Sequence, residues 1–348
     1  MKVLHLLSSN RFSGAENVVC QIIGLFKTDD DIEMAYVSPD GPIRDEMNNR
    51  EIRYIPISGV SVSEVRRVIR QEMPDVLYAH DMRASTIAAI ACGRTNLISH
   101  IHNNAFDSRK ITVKSLAYLL AVHKAQHIFW VSQNAFDGYR FRNKCYSKSS
   151  VLYNVVDMDA LKEKMHSDST CYNYDVVYVG RLSYPKNPQR LLWIIKLLLR
   201  KKQDIRVAVV GNGELEEEIK ALSKEYGLQD NVDFLGFKSN PLKILHDSKV
   251  MVMTSRWEGT PMCALEAMAL GVPIVSTPTD GLQALVKHGE TGFLSNDDDV
   301  LAEHIATLIQ NEHLRKEMSQ KTLEVAKYVN DKTSYKEKIR SVLMKCSQ

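Results

Sequence analysis

The sequence predicts an α/β protein of two domains, each wound around a parallel sheet and facing a common cleft. Three observations lead there. Short β-rich runs alternate with helical patterns along most of the chain, as in successive βαβ units. At 348 residues the chain is long for one domain and ample for two, each with its own core. Between residues 158 and 173 the composition turns polar and charged without clear period, which reads as a linker containing some helix.

The elements follow in order. In the first half, β-rich runs at 3–7, 33–37, 53–56, 76–79, 97–102, 127–131 and 150–152 predict strands, with helical patterns at 15–26, 62–72 and 114–123. A second series of strands is predicted at 175–179, 206–210, 232–235, 250–254 and 273–276, and the tail at 332–345 reads as helix. The expected domains are 1–160 and 170–331. In such sheets ligands sit beyond the carboxyl ends of the strands, near helix N-termini whose free N–H groups suit anions.

Composition excludes more than it identifies. A net charge of +3 is too small to argue for nucleic acid, and no recognition motif for DNA or RNA is present. The six cysteines are scattered with no Cys-x-x-Cys pair, which fits reduced thiols in a cytoplasmic protein better than a disulfide frame or zinc site. The opening Met1-Lys-Val-Leu-His-Leu-Leu is too short an apolar run for a signal peptide and reads as a first strand. The apolar run 191–199 is interrupted by Lys196, so no membrane-spanning stretch is expected.

The chemistry concentrates in Glu258-Gly-Thr-Pro-Met-Cys-Ala-Leu-Glu266, two carboxylates with seven residues between them. A strand-like run precedes Glu258. Thr260 can cap a helix, Pro261 fits its first turn, and Gly271 offers a stop. Glu258 therefore falls on a loop at a strand's carboxyl end, and Glu266 inside an almost wholly apolar helix. A carboxylate there is costly unless something hydrogen-bonds it. Either a core cation pairs with Glu266, or Glu266 accepts hydrogen bonds from ligand hydroxyls such as a ribose diol.

This segment resembles the E-x7-E motif of retaining GT-B glycosyltransferases of family 4. Other stretches resemble the same family in the same order: Leu152-Tyr-Asn-Val-Val-Asp157, Val177-Tyr-Val-Gly-Arg-Leu-Ser-Tyr-Pro-Lys186, Val209-Val-Gly-Asn-Gly213, Val232-Asp-Phe-Leu-Gly236 and Gly289-Glu-Thr-Gly-Phe-Leu294. The likeness covers essentially the whole chain. It implies a GT-B fold of two Rossmann-like domains around a central cleft, with the last helix, about 332–348, returning to the first domain.

It also implies a reaction. A sugar moves from a nucleoside diphosphate sugar, most commonly a UDP-sugar, to a saccharide or lipid-linked saccharide, in surface polysaccharide or glycolipid synthesis. Arg181 and Lys186 match the residues that neutralise the leaving diphosphate, so no metal or other cofactor is expected. Glu258, with the amides around Gly259 and Thr260, would orient the sugar hydroxyls, and Glu266 would hold the ribose. His102, ending Ile98-Ser-His-Ile-His102, would bond the donor sugar or shape the acceptor side. Gly14, in Ser8-Ser-Asn-Arg-Phe-Ser-Gly14, would lie beneath the diphosphate, although Ser13 stands where the family has a first glycine. Ala284 likewise stands where the family commonly has Glu. Rival readings are a GT-B sugar-nucleotide epimerase and a non-catalytic sugar-nucleotide-binding protein; both would need the same fold, but neither needs the Arg181–Lys186 and Glu258–Glu266 combination.

Remaining motifs read as structural. Gly211-Asn-Gly213 lacks the third glycine of a dinucleotide loop and reads as a tight turn. The runs 29–31 and 297–299, each of three Asp, read as solvated turns and caps. His100 and His102 would share a strand face, a spacing that could suit a metal, but no third ligand is evident and His100 reads as structural. His80 ends the neighbouring strand as a weaker candidate. Between 83 and 150 about ten Lys or Arg stand against two Asp. Such a surface can rest on an anionic membrane face; a helix with one buried and one solvated side accounts for it equally well.

Overall fold

The computed structural model describes residues 1–102 and 106–346. Ser347 and Gln348 of the expected tail helix, and Asn103-Asn104 after His102, lie outside the described residues. The chain divides into two compact units, Met1–Asn154 with Lys332–Gln348, and Val155–Asp331.

The first unit holds a seven-stranded sheet of β1 (Lys2–Leu6), β2 (Glu33–Pro39), β3 (Tyr54–Ile57), β4 (Val76–His80), β5 (Asn96–Ile101), β6 (His127–Trp130) and β7 (Ser149–Val151). Their order is β3-β2-β1-β4-β5-β6-β7, and the ladders are all parallel. The direction of progression reverses between β1 and β4, the topological switch point where such sheets bind ligands. Parallel strands covered on both faces need apolar residues on both, which is why β1 and β4 are almost wholly buried.

The second unit repeats the plan with β8 (Tyr174–Val179), β9 (Val207–Val210), β10 (Val232–Gly236), β11 (Ser248–Met253), β12 (Ile274–Ser276) and β13 (Gly292–Leu294). Their order, β10-β9-β8-β11-β12-β13, places the switch between β8 and β11. Two apolar layers sandwich this sheet. One contains Leu191, Ile195 and Ile305, the other Leu161, Ala264 and Met268.

Three expectations need correction. Residues 155–160 belong to the second unit, and the helix expected in the linker is Met158–His166: Asp157 accepts N–H bonds at its head, and it packs on that unit by burying Leu161 and Met165. Two apolar anchors four apart suffice to dock it, too few to show a period. The Asp29–Asp31 turn is not merely solvated. Asp29 is ion-paired to Lys336 and Arg340 of the helix Lys332–Lys345, and Arg340 also reaches Asp31, so these carboxylates fasten the tail helix to the first unit. Finally, Thr260 is not the N-cap residue. The helix Met262–Ala269 has Pro261 at its N-cap with no side-chain bond, and Gly271 ends it at φ +72°. The 297–299 run does cap: Asp297 accepts the Val300 N–H at 3.0 Å, while Asp298 additionally pairs with Arg190 at 2.6 Å.

Candidate active site

In the second unit the switch point brings two predicted residues into contact. Lys186 ends a short 3-10 turn after β8, and Glu258 lies on the loop after β11. Lys186 Nζ sits 2.6 Å from Glu258 Oε1, with side chains 20% and 9% exposed. Ser255 Oγ donates to the same oxygen at 2.6 Å. Burial works against the ammonium, but the Glu258 carboxylate more than offsets it, and the net effect holds Lys186 above its usual range. The unliganded site is thus a neutralised pair with a hydroxyl bracing it.

The two loops are clamped together. Arg256 donates from Nη2 to Asn187 Oδ1 at 2.9 Å and from Nε to the Tyr184 carbonyl at 3.2 Å, and its guanidinium lies 4.4 Å from the Tyr184 ring centre. Its backbone N–H reaches the Pro185 carbonyl, and Thr254 Oγ1 donates to the Asn187 carbonyl at 3.0 Å. Asn187 itself is held at φ +52°, which turns the chain sharply into the helix Pro188–Leu199.

Arg181 stands on the same β8 loop, exposed, and forms no ion pair among the described residues. Its loop is set by the Gly211-Asn-Gly213 turn. A Cβ at Gly211 would lie 2.0 Å from the Gly180 carbonyl oxygen, and one at Gly213 would lie 2.2 Å from that of Leu182. The turn reading therefore holds, with a reason: only glycines let this loop stack on the one carrying Arg181.

Glu266 lies half-buried one turn into the helix Met262–Ala269. Burial pushes its carboxyl up to about 6, opposed only by the field of Lys164. The core ion pair is not found: among the described residues no cation bonds to this carboxylate. Gly259 and Thr260 form the loop between, where Thr260 is buried. A Cβ on Gly281 would strike the Gly259 carbonyl oxygen, so the helix Asp280–Leu285 begins pressed against this loop. Ala284 lies exposed near that helix's end.

In the first unit, Gly14 opens the helix Gly14–Phe26, and Ser13 donates to the buried Glu16 carboxylate. A Cβ on Gly14 would meet nothing within 4 Å, so the glycine leaves open space at the helix N-terminus. Across the switch point a row of histidines crosses the sheet: His5 on β1, His80 ending β4, His100 on β5 and His102 just past it. His5 Nδ1 is 3.0 Å from His80 Nε2, and His80 Nδ1 is 2.8 Å from His102 Nε2. Burial lowers all four, His5 and His102 to about 3, so they are neutral imidazoles. The backbone N–H of His102 donates to Asp81 at 3.1 Å; Asp81 is held at φ +65°, and burial raises its carboxyl to about 6.

His80 supplies the third nitrogen absent from the sequence reading: His80, His100 and His102 each place one within 4.8 Å of the others. Yet His80 and His102 are already hydrogen-bonded at 2.8 Å, shorter than the separation of about 3.3 Å that two nitrogens adopt on a tetrahedral zinc. The row is built as a hydrogen-bonded chain. His100 is a packing residue: Tyr78 Oη lies 3.3 Å from its Nδ1.

Each sheet thus carries its own group of polar side chains at its switch point, and comparison with known proteins gives the family. The model described as Glycosyltransferase Family 4 matches residues 12–160, and that described as Glycosyl transferases group 1 matches residues 164–325. The chain belongs to the family 4 glycosyltransferases.

The chain is 27% identical to an uncharacterized glycosyltransferase of Methanocaldococcus jannaschii, over 62% of this chain and 58% of that relative, less than two thirds of its length. It is 24% identical to the UDP-Gal:alpha-D-GlcNAc-diphosphoundecaprenol alpha-1,3-galactosyltransferase of Escherichia coli, over 86% of this chain and 85% of that one. HepE of Anabaena, solved with UDP-glucose, superposes at a TM-score of 0.85 over 99% of this chain and 100% of its own, at 22% identity. That likeness establishes the GT-B fold of the glycosyltransferase.

Sequence reasoning missed four groups of the candidate sites. Ser255 and Arg256 precede Glu258 on its loop, outside the quoted segment, and belong to no spacing rule. His5 and Asp81 carried a legible signal: a histidine inside the apolar first strand, and an acid directly after a strand-ending histidine.

Proposed function

We propose that this glycosyltransferase moves a sugar, with retention of configuration and without a metal, from a UDP-sugar to a saccharide or lipid-linked saccharide. The observation that carries the proposal is the Lys186–Glu258 pair at the switch point of the second sheet, with Arg181 on the same loop and Glu266 on the helix that follows. A diphosphate would draw Lys186 from its carboxylate partner and meet the Arg181 fork as well. Breaking the bond from the anomeric carbon to the phosphate oxygen builds positive charge on the sugar and negative charge on the phosphate. The two cations stabilise the latter, Glu258 orients the sugar hydroxyls, and Glu266 accepts the ribose diol. The acceptor oxygen attacks from the departing face, and its proton passes to the leaving phosphate oxygen. The UDP-Gal named for the E. coli relative and the UDP-glucose in HepE support a uridine nucleotide.

Thermal unfolding in EDTA with UDP, GDP and a panel of nucleotide sugars tests donor binding. A donor at a hundred times its dissociation constant adds about 2.7 kcal/mol, a shift of several degrees. Arg181→Ala should lose most of that shift, and a flat response to every nucleotide sinks the reading. An inverted anomeric product sinks the retaining mechanism separately.

The first unit supports a membrane-bound acceptor. The helix Val113–Lys124 buries Ser115, Tyr118, Ala121 and Val122, yet its outer side is also apolar: Val113 is 85% exposed, with Leu116 and Leu120 at i+3 and i+7. Ile111 continues the stripe. Lys114, His123 and Lys124 share this exposed side. Arg109, Lys110 and Lys114 flank the stripe, and the Arg140 N–H bonds the Ser108 carbonyl at 2.9 Å, bringing the 140–144 basic segment alongside. An apolar stripe bordered by cations fits an anionic bilayer face. No described helix is long and apolar enough to cross a membrane. Binding to vesicles of anionic lipid should weaken with salt and fall about 30-fold when Arg140 and Arg142 are neutralised, at roughly 1 kcal/mol per charge. Absence of binding at any salt concentration removes the membrane role.

A further inference from the structure

The histidine row ends at a group that can only accept. Met34 Sδ lies 3.3 Å from His5 Nε2. A thioether has no proton to give, so His5 Nε2 must carry the hydrogen of that contact. A neutral imidazole has one N–H, so His5 Nδ1 is bare and accepts from His80 Nε2 at 3.0 Å. His80 Nδ1 is then bare in turn and accepts from His102 Nε2 at 2.8 Å. Each ring fixes the next. The chain stops at His102 Nδ1, a buried nitrogen with no hydrogen-bond partner among the described residues.

We infer that Met34, His5 and His80 form a tautomer relay that leaves His102 Nδ1 as a fixed, bare hydrogen-bond acceptor for a hydroxyl of the ligand. Met34, His5 and His80 are positioning residues; only His102 meets the ligand. The polarity selects chemistry. A bare nitrogen accepts from a sugar O–H and repels a phosphate or carboxylate oxygen, so this end of the first sheet reads a hydroxyl. A charged His102 would do the opposite, and burial of the row prevents it. The backbone bond from His102 to Asp81 holds the ring's base in place. The assignment of a sugar hydroxyl rests on the glycosyltransfer reading; the tautomer pattern does not.

Long-range proton–nitrogen spectra of histidine-labelled protein at neutral pH test the relay. The expected result is a hydrogen on Nε2 of His5, His80 and His102 and a bare Nδ1 on His102. A protonated Nδ1 on His102, an even mixture, or one zinc ion bound per chain through these rings overturns it. Met34→Leu keeps volume and removes the acceptor, so the relay expects a mixture of both patterns, which at equal populations halves the apparent affinity for the hydroxyl ligand; an unchanged single pattern would show that Met34 sets nothing. Adding a UDP-sugar should shift His102 Nδ1, whereas UDP alone should not, and an unmoved Nδ1 with the sugar bound overturns the hydroxyl contact. UDP binding, read by thermal shift, reports on the glycosyltransfer reading separately, because it needs none of these histidines.

Discussion

Lys186→Ala should lower turnover by about 10²–10³-fold, the loss expected when one preorganised group is removed from a developing charge. The same change also strands Glu258. With Lys186 gone, a carboxylate only 9% exposed keeps the Ser255 hydroxyl as a donor but loses its counter-charge. Removing one partner of a buried pair costs about 3–5 kcal/mol, so lost activity alone could mean a poorly folded second unit. A double variant separates the two. Glu258→Gln in the Lys186→Ala background removes the orphaned charge and should recover most of the stability, because the two sites share one interaction and their effects do not add. Turnover should stay at least 10²-fold down, since the amide returns no positive charge to the diphosphate. Chemical denaturation checks the first statement and single-turnover transfer checks the second. Turnover restored together with stability would show the pair to be a structural clamp.

The parallel strands were visible because buried stretches such as 176–179 and 250–253 are continuous runs of Val, Met and Tyr. The helix Asp81–Ala91 was not. It is rich in Ala and packed among neighbours, so it shows no contrast between faces. The three-residue β13 gave too short a run to read. Of the site, Arg181, Lys186, Glu258 and Glu266 were legible through their spacing and the family resemblance. The contact between Lys186 and Glu258 was not, because 72 residues separate them and only the adjacency of β8 and β11 joins them. The relay behind His102 is of the same kind. It depends on register across β1, β4 and β5, which pairs His80 with His100 and sets His5 beside Tyr78.

Glu266→Gln should stabilise the unliganded protein and weaken donor binding together. The folded carboxyl, raised to about 6 by burial, takes up its proton before the unfolded one, whose ordinary value is 4.5. Between these values the folded chain binds more protons than the unfolded chain. Stability therefore falls as pH rises through that window, and the loss is complete above it. At pH 7.5 the deficit is about 1–2 kcal/mol, allowing for the half-buried position of the group. The amide carries no charge and removes it, so the variant should melt higher than wild type at pH 7.5 and equally at pH 4.5. For the donor the sign reverses. A ribose diol donates two hydrogen bonds, and these favour the carboxylate; a bond to a charged acceptor contributes about 1.5–3 kcal/mol against 0.5–1.5 for a neutral one. UDP affinity should therefore drop 10- to 100-fold in the variant. In wild type it should weaken as pH falls below about 6, and in the variant that slope should vanish. Calorimetric titration with UDP across pH 5–8 measures both. Unchanged affinity with the stability gain intact would mean that Glu266 is a buried carboxylate without a ligand, and would move the ribose elsewhere on the second unit.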